Sequence, residues 1–328
     1  MKKQAIACFR VLISIALISI LLYIMGDKYG EIFRVLKGTR IPILCLSFIA
    51  FLCAITIASL RLMLIMMTQG IHLTFPSVIS LTFIGFFFNN FLPTSIGGDV
   101  IKAYYISKMG LEKATAFTSV FIDRMLGLFS MIFMAFFALL YANKIVIDKR
   151  VNYIIYAIAI GAVLILIFIT NKNFAKKFSI LFYFIRPIED KVKKIYNGIH
   201  MYKYHKALMG QSFLISVLSQ LLLFLSFWIL LFSIGTRVSI KDIFLRMPII
   251  SIVSLLPSLN GLGLREGSTV IFFGPLIGKE NAFAVSILGL LILFIVSFIG
   301  GMIYVFSPQF KIKIGEIKTN DRYLKQGD

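Results

Sequence analysis

The chain is poor in acid, cysteine, histidine and tryptophan: 14 Asp or Glu against 34 Lys or Arg, 3 Cys, 3 His and 1 Trp in 328 residues. Cys8, Cys45 and Cys53 all fall in apolar runs, show no CxxC spacing and leave one unpaired, so a disulfide framework is excluded and packing is their expected role. His72, His200 and His205 are dispersed, with no HExxH pair and no Cys/His cluster, and no metal is expected. A Walker-type phosphate loop is also missing, which argues against direct use of ATP. No cofactor is expected. The charge of +20 has no soluble basic domain to carry it, so it speaks for membrane orientation and lipid contact, not nucleic acid.

What the chain has in excess is apolar surface: 59% hydrophobic residues, 33 of them Phe. No soluble fold of this length could hide that much, and the reading is an all-α polytopic membrane protein. Crossing a hydrocarbon layer of about 30 Å takes about 20 residues. Six windows meet that length, near 5–25, 41–60, 115–141, 151–170, 208–233 and 281–306. The first follows MKK but contains Arg10 and ends at GDKYG without a small-x-small cleavage site, so it reads as a transmembrane helix, not a signal peptide. Three further runs, 76–92, 240–257 and 264–277, are short or end in Pro and Gly, and read as half-helices.

Basic segments favour the cytoplasmic side. Residues 171–206 carry nine Lys or Arg against Glu189 and Asp190, and with the MKK terminus and the tail 309–328 they place both termini and this loop in the cytoplasm. The number of crossings between them must then be even. Residues 76–108 therefore enter and return on one side as a re-entrant hairpin, with LPTSIGG at its tip, while 240–277 is either a second hairpin or two crossings. The element Leu-Pro-[Ser/Thr]-x-x-Gly occurs at both tips, LPTSIG and LPSLNG, with prolines 164 residues apart. This suggests one integral domain over 1–328 built of two half-repeats, about 1–170 and 207–308, in inverted orientation.

A helix broken inside lipid leaves backbone groups unpaired, which is tolerable only inside protein or beside a watery cavity. Pro93 and Pro257 mark such breaks. In the first tip Gly97 and Gly98 allow close approach to the backbone, Asp99 stands at a helix start, and Lys102 follows one turn later. In the second, Asn260, Gly261 and Gly263 precede Arg265 and Glu266. Helix starts and a planar guanidinium suit a phosphate, so these nine residues are the candidate substrate-binding set. Buried charge in the bilayer costs at least about 2.5–3.5 kcal/mol and usually marks function, although pairing that merely locks the fold is the competing reading. Asp123 and Arg124 read as a bridge to a hairpin as readily as a ligand pair, and Asn90 as a partner for freed backbone groups.

In NNFLPTSIGGDVIKAYYISK, FIDRMLGL and LPSLNGLGLREGSTVIFF, in that order, the chain resembles the lysylphosphatidylglycerol synthase transmembrane-region family of flippase-like membrane proteins. The resemblance spans nearly the whole chain and implies a flippase-like module without the soluble synthase domain. Relatives carry Arg where this sequence has Lys102. The expected function is translocation of an anionic phospholipid or a polyprenyl-phosphate-linked lipid across the plasma membrane, and not an enzymatic one. The alternatives are a polyprenyl-phosphate-dependent glycosyltransferase, for which the extramembrane segment GDKYGEIFRVLKGTR offers only Asp27 and Glu31, and a non-transporting partner of lipid- or glycan-synthesis enzymes.

Overall fold

The structure, a computed structural model, describes residues 29–91, 97–109, 112–141, 205–254, 258 and 261–307, with the isolated positions 19, 23, 26, 161 and 202. Nine helices and no strand occur among the described residues. In chain order they are α1 (Tyr29–Lys37), α2 (Ile41–Met67), α3 (Phe75–Phe91), α4 (Gly97–Lys108), α5 (Lys113–Tyr141), α6 (Lys206–Ser233), α7 (Ile240–Val253), α8 (Leu264–Ile277) and α9 (Lys279–Phe306). Four of them, in α2, α5, α6 and α9, are long and apolar enough to cross a membrane. Apart from positions 19, 23, 161, 202, 205 and 206, the expected crossings at 5–25 and 151–170, the basic loop 171–206 and the tail lie outside the described residues, as do Pro93, Pro257 and Asn260.

At 1.5 Å per residue, α3 is about 26 Å long, α4 about 18 Å, and α7 and α8 about 21 Å each, all short of the hydrocarbon thickness. They are paired as two hairpins. The Gly98 N–H donates to Asn89 Oδ1 at 2.8 Å while Ile106 packs with Val78 and Leu81, so α4 runs back along α3. In the second hairpin Arg246 Nη1 donates to the Phe272 carbonyl at 2.6 Å, and Gly261 lies against Ser254. The segment α1, read from sequence only as a short connecting loop, is an amphipathic helix that turns Ile32, Val35 and Leu36 onto the main core. That i, i+3, i+4 spacing is the sequence signal for it.

The most extensive helix pair is α2 with α6. The Arg40 N–H donates to the Ser233 carbonyl, Ser47 and Ser226 each donate a hydroxyl to the other's carbonyl at 2.8 Å, and Ser219 donates to the Ala54 carbonyl at 2.9 Å. Each step of seven forward on α2 is matched by seven backward on α6, so the helices are antiparallel and meet along a heptad stripe of small residues. Lipid tails are as apolar as leucine, so close backbone approach and interhelical hydrogen bonds hold such a pair together. The free Cys45 and Cys53 are exposed on α2, outside this seam, which corrects their expected packing role.

Because α2 leads into the first hairpin from its C-terminal end and α6 leads into the second from its own, the hairpin bases lie at opposite ends of the bundle. Both halves follow the same order of long, short, short and long helix.

Candidate functional site

A cavity of about 350 Å³ lies inside the bundle, lined by residues from every helix except α1 and α4. Its volume is at the small end of ligand pockets, which run from about 300 to 1,000 Å³. Phe51, Phe86, Leu223, Phe227 and Met247 give it an apolar wall. Among the described lining residues Arg265 is the one charged group, and Gln220 and Ser251 are polar neighbours without a side-chain hydrogen bond to the described residues.

Arg265 is the second residue of α8. Its Nε and Nη2 both donate to Glu266 Oε1, at 3.1 and 2.7 Å, and Glu266 Oε2 in turn accepts the Gly263 N–H at 2.6 Å. Glu266 is 4% exposed, so its charge is fully committed to closing the helix start and fixing the guanidinium. Nη1 of Arg265 is left without a partner among the described residues. Gly261 and Gly263 have φ of 79° and 83°, a left-handed backbone that L side chains rarely adopt, so their identity serves the turn into α8.

The first tip is built differently. Gly97 and Gly98 are buried, and a Cβ on Gly98 would overlap the Gly85 carbonyl oxygen, so Gly98 lets α4 close on α3. The expectation that it admits a ligand to the backbone is not met at this position. Asp99 is the third residue of α4, not its cap, because Asn89 supplies the capping oxygen from α3. Asn90 donates to Ser297 Oγ of α9. Asn89 thus serves a backbone amide at a helix start, and Asn90 ties α3 to α9 through a hydroxyl.

Asp99 Oδ2 accepts from Arg124 Nε at 2.7 Å and Nη2 at 2.6 Å, tying α4 to α5, and Lys102 Nζ lies 3.9 Å from Oδ1. The neighbouring Asp123 faces another way: its Oδ1 accepts Arg61 Nε at 2.7 Å, and Arg61 Nη1 reaches Ser216 Oγ at 3.1 Å. Successive helical residues are about 100° apart, so one Asp-Arg dipeptide holds α5 to a hairpin and to α2 at once. Neither Asp99, Lys102, Asp123 nor Arg124 lines the cavity. Of the nine candidates, the structure places Arg265 there and Glu266 directly behind it. The sequence reading missed Arg61, a lone cation in the apolar run ASLRLML, and Gln220.

The model for the lysylphosphatidylglycerol synthase TM region matches residues 10–301. The chain belongs to this family. It is similar to a UPF0104 membrane protein of Pyrococcus horikoshii, 27% identical over 305 residues, covering 84% of this chain and 89% of the relative. A UPF0104 membrane protein of Methanothermobacter thermautotrophicus is 27% identical over 117 residues, covering 35% of this chain and 33% of that relative. Membership in a lysylphosphatidylglycerol synthase TM family, with four spanning helices described, makes this a multi-pass integral membrane protein with a lipid-related role.

Proposed function

We propose that this family member moves an anionic, phosphate-bearing lipid between leaflets, seating the headgroup at Arg265 and the first part of its chains in the apolar cavity. The observation that carries the reading is a guanidinium, fixed by a buried carboxylate, as the one charged group among the described residues that line a cavity between helices of both halves. A planar guanidinium holds phosphate oxygens in pairs, and its cost in an apolar setting is repaid when an anion completes its bonding. Oppositely entered hairpins support alternating exposure of such a site to the two faces, as expected of inverted repeats. In this reading the protein is a transporter with no chemical step, its termini are cytoplasmic, and its partners are membrane lipids, with lipid-synthesis enzymes as suppliers.

The test is lipid flipping in proteoliposomes together with mass spectrometry of co-purified lipid. Arg265→Gln should lower flipping at least tenfold and remove the selectively enriched lipid while leaving the protein monodisperse. Unchanged flipping and bulk-like lipid in both proteins would reject the site.

A further inference from the structure

We infer that the end of the bundle bearing α1 is a docking face for anionic phospholipid headgroups, a basic collar that gathers them at the base of the second hairpin. Arg34 and Lys37 are on α1, and Arg40 follows it, with its N–H on the Ser233 carbonyl at the end of α6. Arg237 lies in the link from α6 to α7, and Lys241 is the second residue of α7. The Arg246–Phe272 bond and the Gly261–Ser254 contact fix the register of the second hairpin, which brings the end of α8, and Lys279 just after it, level with Lys241. All six cationic residues are exposed, and none of the six is in an ion pair among the described residues. Asp242, beside Lys241 in sequence, is taken by Arg246 Nη2 at 3.3 Å. With Glu31 and Glu280 set against two of the six, four positive charges remain in excess among the described residues of this end.

The helix α1 shows how this face meets a membrane. At about 100° per residue it presents three stripes: Ile32, Val35 and Leu36 toward the core, Tyr29 and Phe33 to one side of them, and Arg34 and Lys37 with Glu31 opposite. Tyr29 and Phe33 are 49% and 69% exposed. Such a helix lies along the interface, with its rings at the acyl boundary and its cations among the headgroups.

Orientation does not account for the collar. Basic residues concentrate on the cytoplasmic side, yet with both termini cytoplasmic the crossing expected at 5–25 puts α1 on the outer side. Cations there call for an anionic counterpart, and a leaflet supplies it, since Lys and Arg at the membrane surface draw anionic headgroups over about a Debye length. The collar is distinct from the cavity site, because Arg265 is at the far end of the second hairpin, about 20 Å along α8. The side of the membrane and the use made of the gathered lipid rest on the translocation reading, whereas the gathering itself does not.

The experiment moves the chain's single tryptophan to the collar, as Phe33→Trp with Trp228→Phe, and reads its quenching by brominated lipid in vesicles that mix phosphatidylcholine with phosphatidylglycerol. Brominated phosphatidylglycerol should show a relative binding constant at least about fivefold that of brominated phosphatidylcholine. The preference should fall toward one when Arg34, Lys37 and Arg40 are changed together to Gln, and also when salt is raised from about 0.05 to about 1 M. Arg265→Gln should leave it unchanged. Equal quenching by the two lipids, no quenching by either, or a preference that survives the triple variant or high salt would overturn the collar, as would a preference abolished by Arg265→Gln. If the triple variant fails to fold, the salt series, which leaves every cation in place, decides alone. No transport is read, so a collar that passes while Arg265→Gln leaves flipping unchanged stands without the translocation reading, and a collar that fails beside Arg265-dependent flipping leaves the cavity reading intact.

Discussion

Single residues decide which charges are structure and which are chemistry. Arg61 and Asp123 lie 2.7 Å apart with side chains 12% and 11% exposed, and Ser216 takes a further guanidinium hydrogen. Gly127 faces this guanidinium, and a Cβ there would sit 3.0 Å from Arg61 Nη1. Such a pair is complete in itself. Removing one partner strands a charge among helices and typically costs about 3–5 kcal/mol, while replacing both by apolar groups is often close to neutral. Asp123→Ala should therefore lower the thermal midpoint in detergent sharply, and Arg61→Leu with Asp123→Leu should recover most of the loss. A double variant as unstable as the single would mean that the pair also orients Ser216 and the α2–α6 seam. Arg265 contrasts with Arg61 because its carboxylate partner is the adjacent residue, which fixes its direction and leaves Nη1 without a partner among the described residues.

At the scale of helices, fit is governed by where a methyl group can stand. On α9, a Cβ at Gly300 would overlap the Phe83 carbonyl of α3, whereas one at Gly289 would meet only Leu230 Cδ2 at an ordinary 3.7 Å. Backbone cannot move aside as a side-chain end can. Gly300→Ala should cost about 1–3 kcal/mol through displacement of α3, and Gly289→Ala should be neutral or stabilising by up to about 1 kcal/mol from helix propensity. Equal thermal midpoints for the two variants would show that α3 and α9 are not closely apposed. This scale was also the most legible in the sequence. The described spanning helices lie where length and hydropathy put them, because lipid leaves the backbone no alternative to helix. The end of α2 was set near residue 60, and the helix continues to Met67 because Arg61 is neutralised by Asp123, 62 residues away. Likewise α4 starts at Gly97, ahead of Asp99, because Asn89 caps it from a neighbouring helix. Partner choice across that separation has no local signature, which is why the charged positions stood out and their pairing did not.

For the whole molecule, the arrangement of the two hairpins follows from one antiparallel seam. Serines recur at 212, 219, 226 and 233 on α6, and the last three face Ala54 and Ser47 on α2 and Arg40 just before it. That heptad was open to view in the sequence, but its antiparallel partner was not, since only the packed bundle pairs one stripe with another. Given the seam, α3 must leave from one end and α7 from the other. His72, before α3, and Lys241, at the start of α7, are both exposed. In a cysteine-free background, His72→Cys and Lys241→Cys should react with a membrane-impermeant maleimide from opposite faces of sealed vesicles. Labelling of both from the same face would break the inverted arrangement, and with it the route by which one lipid site could be opened alternately to each leaflet. Labelling from opposite faces would leave the direction of the proposed transport as the next quantity to measure.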